Sequence, residues 1–294
     1  MTVIGIFGPT ASGKSSVAEA VAARIPAELV SADAMQAYRG LPILTNQSPA
    51  RLVGLWPLDH EASVGEYAPL AHAAVDEILA AGRTPVVVGG TGLYFRAALA
   101  ELRLPPAPAE GARERWEAAY DADPAAAHAR LAELDPSAAA AVHRHDRRRV
   151  VRALELAESG RSLSPEEDRL WASSTRRPTV VVGLEVPRDV LEQRIVERTH
   201  AMFAAGVEEE VARALAGPIS ATARKTLGLD EIATLPREQA LERIVVRTRR
   251  LAAYQRKWMR RVPGLVMVDA DRPPDEIADD IVALAGTRKR LSRR

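Results

Sequence analysis

The sequence contains no cysteine. A disulfide framework and a thiolate metal site are therefore excluded, and a cytoplasmic setting is expected. No apolar run approaches the roughly 18 residues that a membrane helix requires, so no membrane partner is expected. The opening run "TVIGIFG" is too short for a signal peptide and has no basic leader. Lysine is scarce: Lys14, Lys225, Lys257 and Lys289 are all there are among 40 basic residues. Arginine is the default cation, so background composition explains a lysine less well than an arginine. Net charge is only +1, so its total points to no partner. Its distribution is more informative. Basic residues gather at 143–152, at 243–261 and in the tail at 287–294. A segregated basic face marks a phosphate-rich partner, although each cluster alone also reads as a solvated helix face.

With 294 residues, 47% of them hydrophobic, the chain can bury a sizeable core, as one large domain or a core with a smaller attachment. "TVIGIFG", "AELVSAD", "TPVVVGG", "TVVVGLEV" (179–186) and "GLVMVDA" read as short strands. They are apolar without alternation, as buried parallel strands are. Helical periodicity follows the first strand in "SSVAEAVAARI" and precedes the third in "YAPLAHAAVDEILAAG", where Gly82 supplies a C-cap. The alternation predicts an α/β core, P-loop NTPase-like, with a parallel sheet flanked by helices. After the Pro-rich "RLPPAPAEG", residues from about 110 to 172 are helical and Ala-rich with no convincing strand. They read as an all-helical insertion. Further helices are expected at about 188–216, 228–235 and 238–260. The expected division is 1–108 and 177–286 for the core, 109–176 for the insertion and 287–294 for a disordered basic tail.

The chemistry begins at Gly8-Pro-Thr-Ala-Ser-Gly-Lys14-Ser15, a phosphate-binding loop between a strand and a helix. Its glycines let successive N–H groups turn inward on an anion, and the helix that follows adds its positive end. Lys14 brings a mobile charge, and the Ser15 hydroxyl suits Mg²⁺. The loop does not name its ligand. A nucleotide hydrolase also needs an acid ending a buried strand, and "VVVGGTG" ends without one. Asp33, after "ELVSA", is the nearest candidate. Ligands of open parallel sheets bind beyond the carboxyl ends of the strands. The loop, Asp33 and Thr91 should therefore share a crevice, with glycines 89, 90 and 92 letting the backbone pass close to a ligand. A carboxylate, a hydroxyl and an anion cradle together suit group transfer. Asp33 alone also reads as a turn or helix cap.

The segments "GPTASGKSS", "SADAMQAYRG" and "GGTGLYFRAAL" resemble the tRNA dimethylallyltransferase (tRNA isopentenyltransferase) family. "HRHDRRRVVRALEL" is similar to that family's Asp-x-x-Arg-x-x-Arg-Ala-Leu-Glu helix, matching Asp146, Arg149 and Arg152. "RTRRLAAYQRKWMRR" is similar to its Thr-Arg…Gln-x-x-Trp-x-Arg segment, matching Thr248, Arg249, Gln255, Trp258 and Arg260. The likeness runs over most of the chain in the family's order.

The resemblance implies transfer of a dimethylallyl group from dimethylallyl diphosphate to N6 of the adenosine 3′ of a tRNA anticodon. Diphosphate leaves, and the adenine must exit its stack. It implies Gly8, Thr10, Ala11, Ser12, Gly13, Lys14 and Ser15 as the diphosphate cradle, with Mg²⁺ on Ser15, and Asp33 as base with Thr91 beside the reacting base. For the anticodon stem-loop it implies Asp33, Ala34, Met35, Gln36, Thr91, Arg113, Arg149, Arg152, Arg224, Lys225, Arg249, Gln255, Trp258 and Arg260. Trp258 is a candidate to stack on an unpaired base, with core packing as the alternative. A monomer is expected.

Four stretches depart from the family pattern. "PILTNQS" lacks an acid and a lysine, "GLWPLDHE" replaces a His-His-Leu stretch, "GLDE" replaces Gly-Tyr-Lys-Glu, and "AAYQ" replaces the usual basic pair before Gln255. The lost positive charge is expected to weaken RNA or diphosphate binding, with the catalytic candidates intact. Three alternatives stand beside this one: a small-molecule kinase, prenyl transfer to a free adenine nucleotide, and an RNA-binding protein with a vestigial loop.

Overall fold

The computed structural model describes residues 1–102, 109, 111–163, 170 and 172–291, with side chains as far as 287. In chain order the elements are β1 (Val3–Phe7), α1 (Lys14–Arg24), β2 (Ala27–Ser31), α2 (Pro42–Thr45), α3 (Val64–Ala80), β3 (Thr84–Gly89), α4 (Gly92–Leu99), α5 (Ala112–Ala122), α6 (Pro124–Leu134), α7 (Pro136–Ala141), α8 (Arg147–Glu158), β4 (Thr179–Glu185), α9 (Arg188–Ala204), α10 (Val207–Leu215), α11 (Leu229–Thr234), α12 (Arg237–Met259), β5 (Leu265–Asp269) and α13 (Pro274–Leu291). The five strands form one parallel sheet in the order β2-β3-β1-β4-β5. This is the expected α/β core.

Alternate residues of the central strands supply two cores. Ile4, Ile6, Val86, Val180 and Val182 face one side with Val17 and Val21 of α1 and Ile277 and Ile281 of α13. Val3, Phe7, Val87 and Val181 face the other with Tyr67 and Ile78 of α3 and Phe95 of α4. Burial on both faces explains why these strands are apolar runs. Each such side chain contributes about 1.5–3 kcal/mol on burial. The strand order leaves β1 at the centre, so the loop after it opens over the carboxyl edge of the sheet.

The described residues group into two compact units, 1–102 with 170–294, and 103–169. The second unit holds α5 to α8 around Tyr120, Leu131, Val150 and Leu154. Three of its helices start on an aspartate. Asp123, Asp135 and Asp146 each accept a hydrogen bond from a first-turn amide of α6, α7 and α8, satisfying N–H groups the helix itself leaves open.

Three sequence expectations shift. The helix expected over 188–216 is two helices, broken at Gly206 with φ 87°. α3 begins before Tyr67, at Val64, because the Ser63 hydroxyl accepts from the Glu66 amide and caps it there. The tail expected to be disordered from 287 continues α13 as far as Leu291. Among the described residues no helix is long and apolar enough to cross a membrane.

Candidate active site

The loop between β1 and α1 turns through two left-handed positions, Ala11 at φ 64° and Gly13 at φ 84°. Gly13 adopts this freely, whereas Ala11 is strained there. Gly8 is required for a different reason, since a Cβ on it would lie 2.7 Å from Ser12 Oγ. Lys14 Nζ donates to the carbonyl of Pro9 at 2.6 Å. Burial of its ammonium pushes its pKa down to about 8, against the raising influence of Asp33 and with Arg198 adding to the fall. Arg198, on α9, donates from Nη1 to Thr10 Oγ1 at 2.7 Å. Burial lowers its pKa as well, with Asp33 opposing.

Asp33 follows β2. Its Oδ1 accepts the Met35 amide at 3.0 Å, as the turn reading has it. The carboxylate faces a cleft of about 530 Å³ lined also by Thr10, Gly13, Lys14, Ser15, Arg198 and Gln255. Two cations, one carboxylate, a hydroxyl and the start of a helix thus meet in one place. Such a set has the chemistry to hold a phosphorylated ligand and to take a proton from a second one.

A metal held by protein alone needs several acidic or imidazole ligands, and among the described residues no group of three or more His, Asp or Glu gathers that way. Mg²⁺ shared with a diphosphate needs only one or two protein oxygens besides phosphate and water. The Ser15 hydroxyl, on the first turn of α1 in the cleft, fits that requirement.

Several candidate residues have other duties. Ala34 is buried in the core. Met35 and Gln36 line the cleft, but the Gln36 amide is bound to Ser31 Oγ and the Asn46 carbonyl. Thr91 precedes α4, half-buried and outside the described lining of the cleft. The glycines around it make room for protein rather than for a ligand. A Cβ on Gly89 would meet Ala32 O at 2.3 Å, one on Gly90 would meet Gln255 Nε2 at 2.5 Å, and one on Gly92 would meet the Trp258 ring at 2.0 Å. Trp258 is half-buried against the core, edge-on to Tyr254 at 6.5 Å. Gln255 is buried, and its Oε1 accepts the Thr10 amide at 2.8 Å.

The arginines divide in the same way. Arg113 Nε and Arg152 Nη1 both donate to the fully buried Glu155 carboxylate, at 2.8 and 2.7 Å. Asp146 caps α8. The Asp-x-x-Arg-x-x-Arg-Ala-Leu-Glu pattern therefore builds its own helix unit, and of the two matched arginines Arg149 is the exposed one. Arg224 pairs with Asp230 at 3.3 Å and Arg249 with Glu192 at 3.7 Å, while Lys225 and Arg260 are exposed. Thr248 lines the cleft.

At two of the four departures from the family pattern the structure has its own local contacts. Residues 42–45 form α2, whose Ile43 and Leu44 amides both donate to Glu210 of α10 at 2.8 Å. Gly228, at φ 98°, lies under Leu44 and Ile244 where a side chain would collide, and Glu231 accepts its amide and pairs with Arg247. Arg198 escaped the sequence reading. It stands in an unremarkable arginine-rich helix, and its contact with Thr10 spans 188 residues.

The IPP transferase family model matches residues 36–262. The chain is 41% identical over 305 aligned positions to the tRNA dimethylallyltransferase of Thermobifida fusca, covering 96% of this chain and 94% of that one. It is similar in structure to the full-length tRNA isopentenylpyrophosphate transferase from Bacillus halodurans, with a TM-score of 0.72, 29% identity and coverage of 100% and 99%. A eukaryotic dimethylallyltransferase shares the fold at a TM-score of 0.82 and 24% identity, with 100% of this chain and 80% of that chain covered. The chain belongs to the tRNA dimethylallyltransferase family, and it is a transferase of that class.

Proposed function

We propose that this enzyme transfers the dimethylallyl group of dimethylallyl diphosphate to N6 of the adenosine 3′ of the anticodon in tRNA. The observation that carries the reading is the convergence of Lys14, Arg198 and Asp33 on one cleft at the mouth of the phosphate loop. In the transfer, the allylic C–O bond breaks and its electron pair leaves with diphosphate. A C–N bond forms to the exocyclic amine, and the amine's proton passes to the Asp33 carboxylate. Lys14 and Arg198 hold the charge that grows on the departing oxygens, which is where preorganised cations lower a barrier. The Ser15 hydroxyl would hold Mg²⁺, which would supply Lewis-acid stabilisation to the same leaving group. The RNA is held by exposed cations, among them Arg149, Lys225 and Arg260, which contact phosphate and set register.

The test supplies the full chain with Mg²⁺ and unmodified tRNA, and with either dimethylallyl diphosphate or ATP. Diphosphate release that depends on tRNA is the expected result. ADP formation from ATP, with no diphosphate released from the prenyl donor, would assign the site to phosphoryl transfer instead.

A further inference from the structure

The phosphate loop is held by a residue that the resemblance places among the RNA contacts. The peptide joining Pro9 to Thr10 is gripped at both ends. Its carbonyl accepts from Lys14 Nζ at 2.6 Å. Its N–H donates to Gln255 Oε1 at 2.8 Å, across 245 residues of sequence. The Thr10 hydroxyl is held from a third side by Arg198 at 2.7 Å. Gln255 is 5% exposed, and the space around its amide is fixed: a Cβ on Gly90 would stand 2.5 Å from Nε2. A buried side-chain amide crowded by its neighbours leaves little freedom to the peptide it holds.

We infer that Gln255 is a positioning residue for the diphosphate site, setting the orientation of the Pro9–Thr10 peptide. Without the acceptor, the Thr10 N–H has lost its partner, and the peptide plane is held only at the Pro9 carbonyl, by Lys14 Nζ and the Ser12 amide. A shift of that plane moves the Pro9 carbonyl, and with it the anchor of Lys14 Nζ. The consequence falls on diphosphate affinity. RNA affinity is left alone, because the Gln255 side chain is buried and bonded to the phosphate loop, while Arg243, Arg249, Arg250 and Lys257 of α12 are exposed. The assignment rests on the proposed function only for the identity of the diphosphate ester.

The experiment uses the full chain and two variants that disturb the same hydrogen bond from opposite sides. Gln255→Met keeps the side chain's length and removes the acceptor. Gly90→Ala keeps the glutamine and crowds its amide, but its added carbon also meets the Gly8 carbonyl at 3.0 Å, so Gln255→Met is the deciding variant. Three quantities are read: affinity for inorganic diphosphate by calorimetry, KM for dimethylallyl diphosphate against kcat, and tRNA affinity. The expected result for both variants is a roughly tenfold loss in diphosphate affinity and a matching rise in KM, the size of one net hydrogen bond, with tRNA affinity within twofold of the parent. A fall in tRNA affinity with unchanged diphosphate affinity overturns the assignment, as does a lower melting temperature with neither affinity changed. If the parent protein binds diphosphate and transfers no prenyl group, the proposed function fails. The role of Gln255 is then decided by the diphosphate arm alone.

Discussion

The charge on Lys14 depends on pH near the physiological range. Burial brings its pKa to about 8, so raising the pH through that value removes a proton and one of the two cations at the cradle. kcat/KM for dimethylallyl diphosphate, which reports groups of the free enzyme, is expected to fall as pH rises through about 8. In a Lys14→Arg variant the fall should vanish, because guanidinium keeps its charge across that range. A profile for the parent flat to well above 8 would show that Lys14 is not the titrating group. Asp33 is best tested with Asn, which keeps an oxygen for the Met35 amide and removes the basicity together with the negative charge that acts on Lys14 and Arg198. Asp33→Asn is expected to lower kcat by at least about 100-fold, the usual share of a general base, and to leave tRNA affinity nearly unchanged. Loss of binding with preserved turnover would remove Asp33 as the base. These two residues were legible in the sequence because each follows a strand closely: Lys14 opens α1 at the end of the loop after β1, and Asp33 lies two residues beyond β2. Arg198 was not, since no local spacing marks an arginine that meets its partner through the fold.

At the scale of elements, α12 and α8 each present two faces that the sequence could not separate. The inner side of α12 carries Gln255 and Trp258, which fit into notches left by Gly90 and Gly92. The glycines after β3 were read as a path for a ligand. They serve packing instead, because a glycine admits a neighbouring side chain as readily as a substrate. Gly92→Ala is expected to destabilise the protein by about 1–3 kcal/mol, typical of an overpacked core, measured by chemical denaturation. Stability equal to the parent would mean that the Trp258 ring moves aside freely. In α8 the paired arginines were expected to act alike. Arg152→Ala removes one partner of the buried Glu155 and should cost about 1–3 kcal/mol of stability. Arg149→Ala should leave stability within about 0.5 kcal/mol, as exposed substitutions do. It should weaken tRNA binding and reduce the salt slope by about one. An unchanged slope would place Arg149 outside the RNA interface.

For the whole molecule, periodicity and turn residues were enough to read five strands, their parallel arrangement and a helical insertion, because buried parallel strands write themselves as apolar runs. The order β2-β3-β1-β4-β5 came only from the structure, since it is decided by which strands pair across long separations. The cleft follows from that order: β1 stands at the centre, β2 delivers Asp33 to the same edge, and α9 brings Arg198 over the loop. The loop on its own suggested a nucleotide. Its surroundings, a carboxylate and two half-buried cations in one cleft, fit the proposed transfer from a diphosphate ester. The most direct measurement is nucleoside analysis of unmodified tRNA incubated with the full chain, Mg²⁺ and dimethylallyl diphosphate. The account predicts one dimethylallyl group on N6 of the adenosine 3′ of the anticodon, formed by the parent protein and absent with Asp33→Asn. Unmodified adenosine after incubation with folded, tRNA-binding parent protein would contradict it.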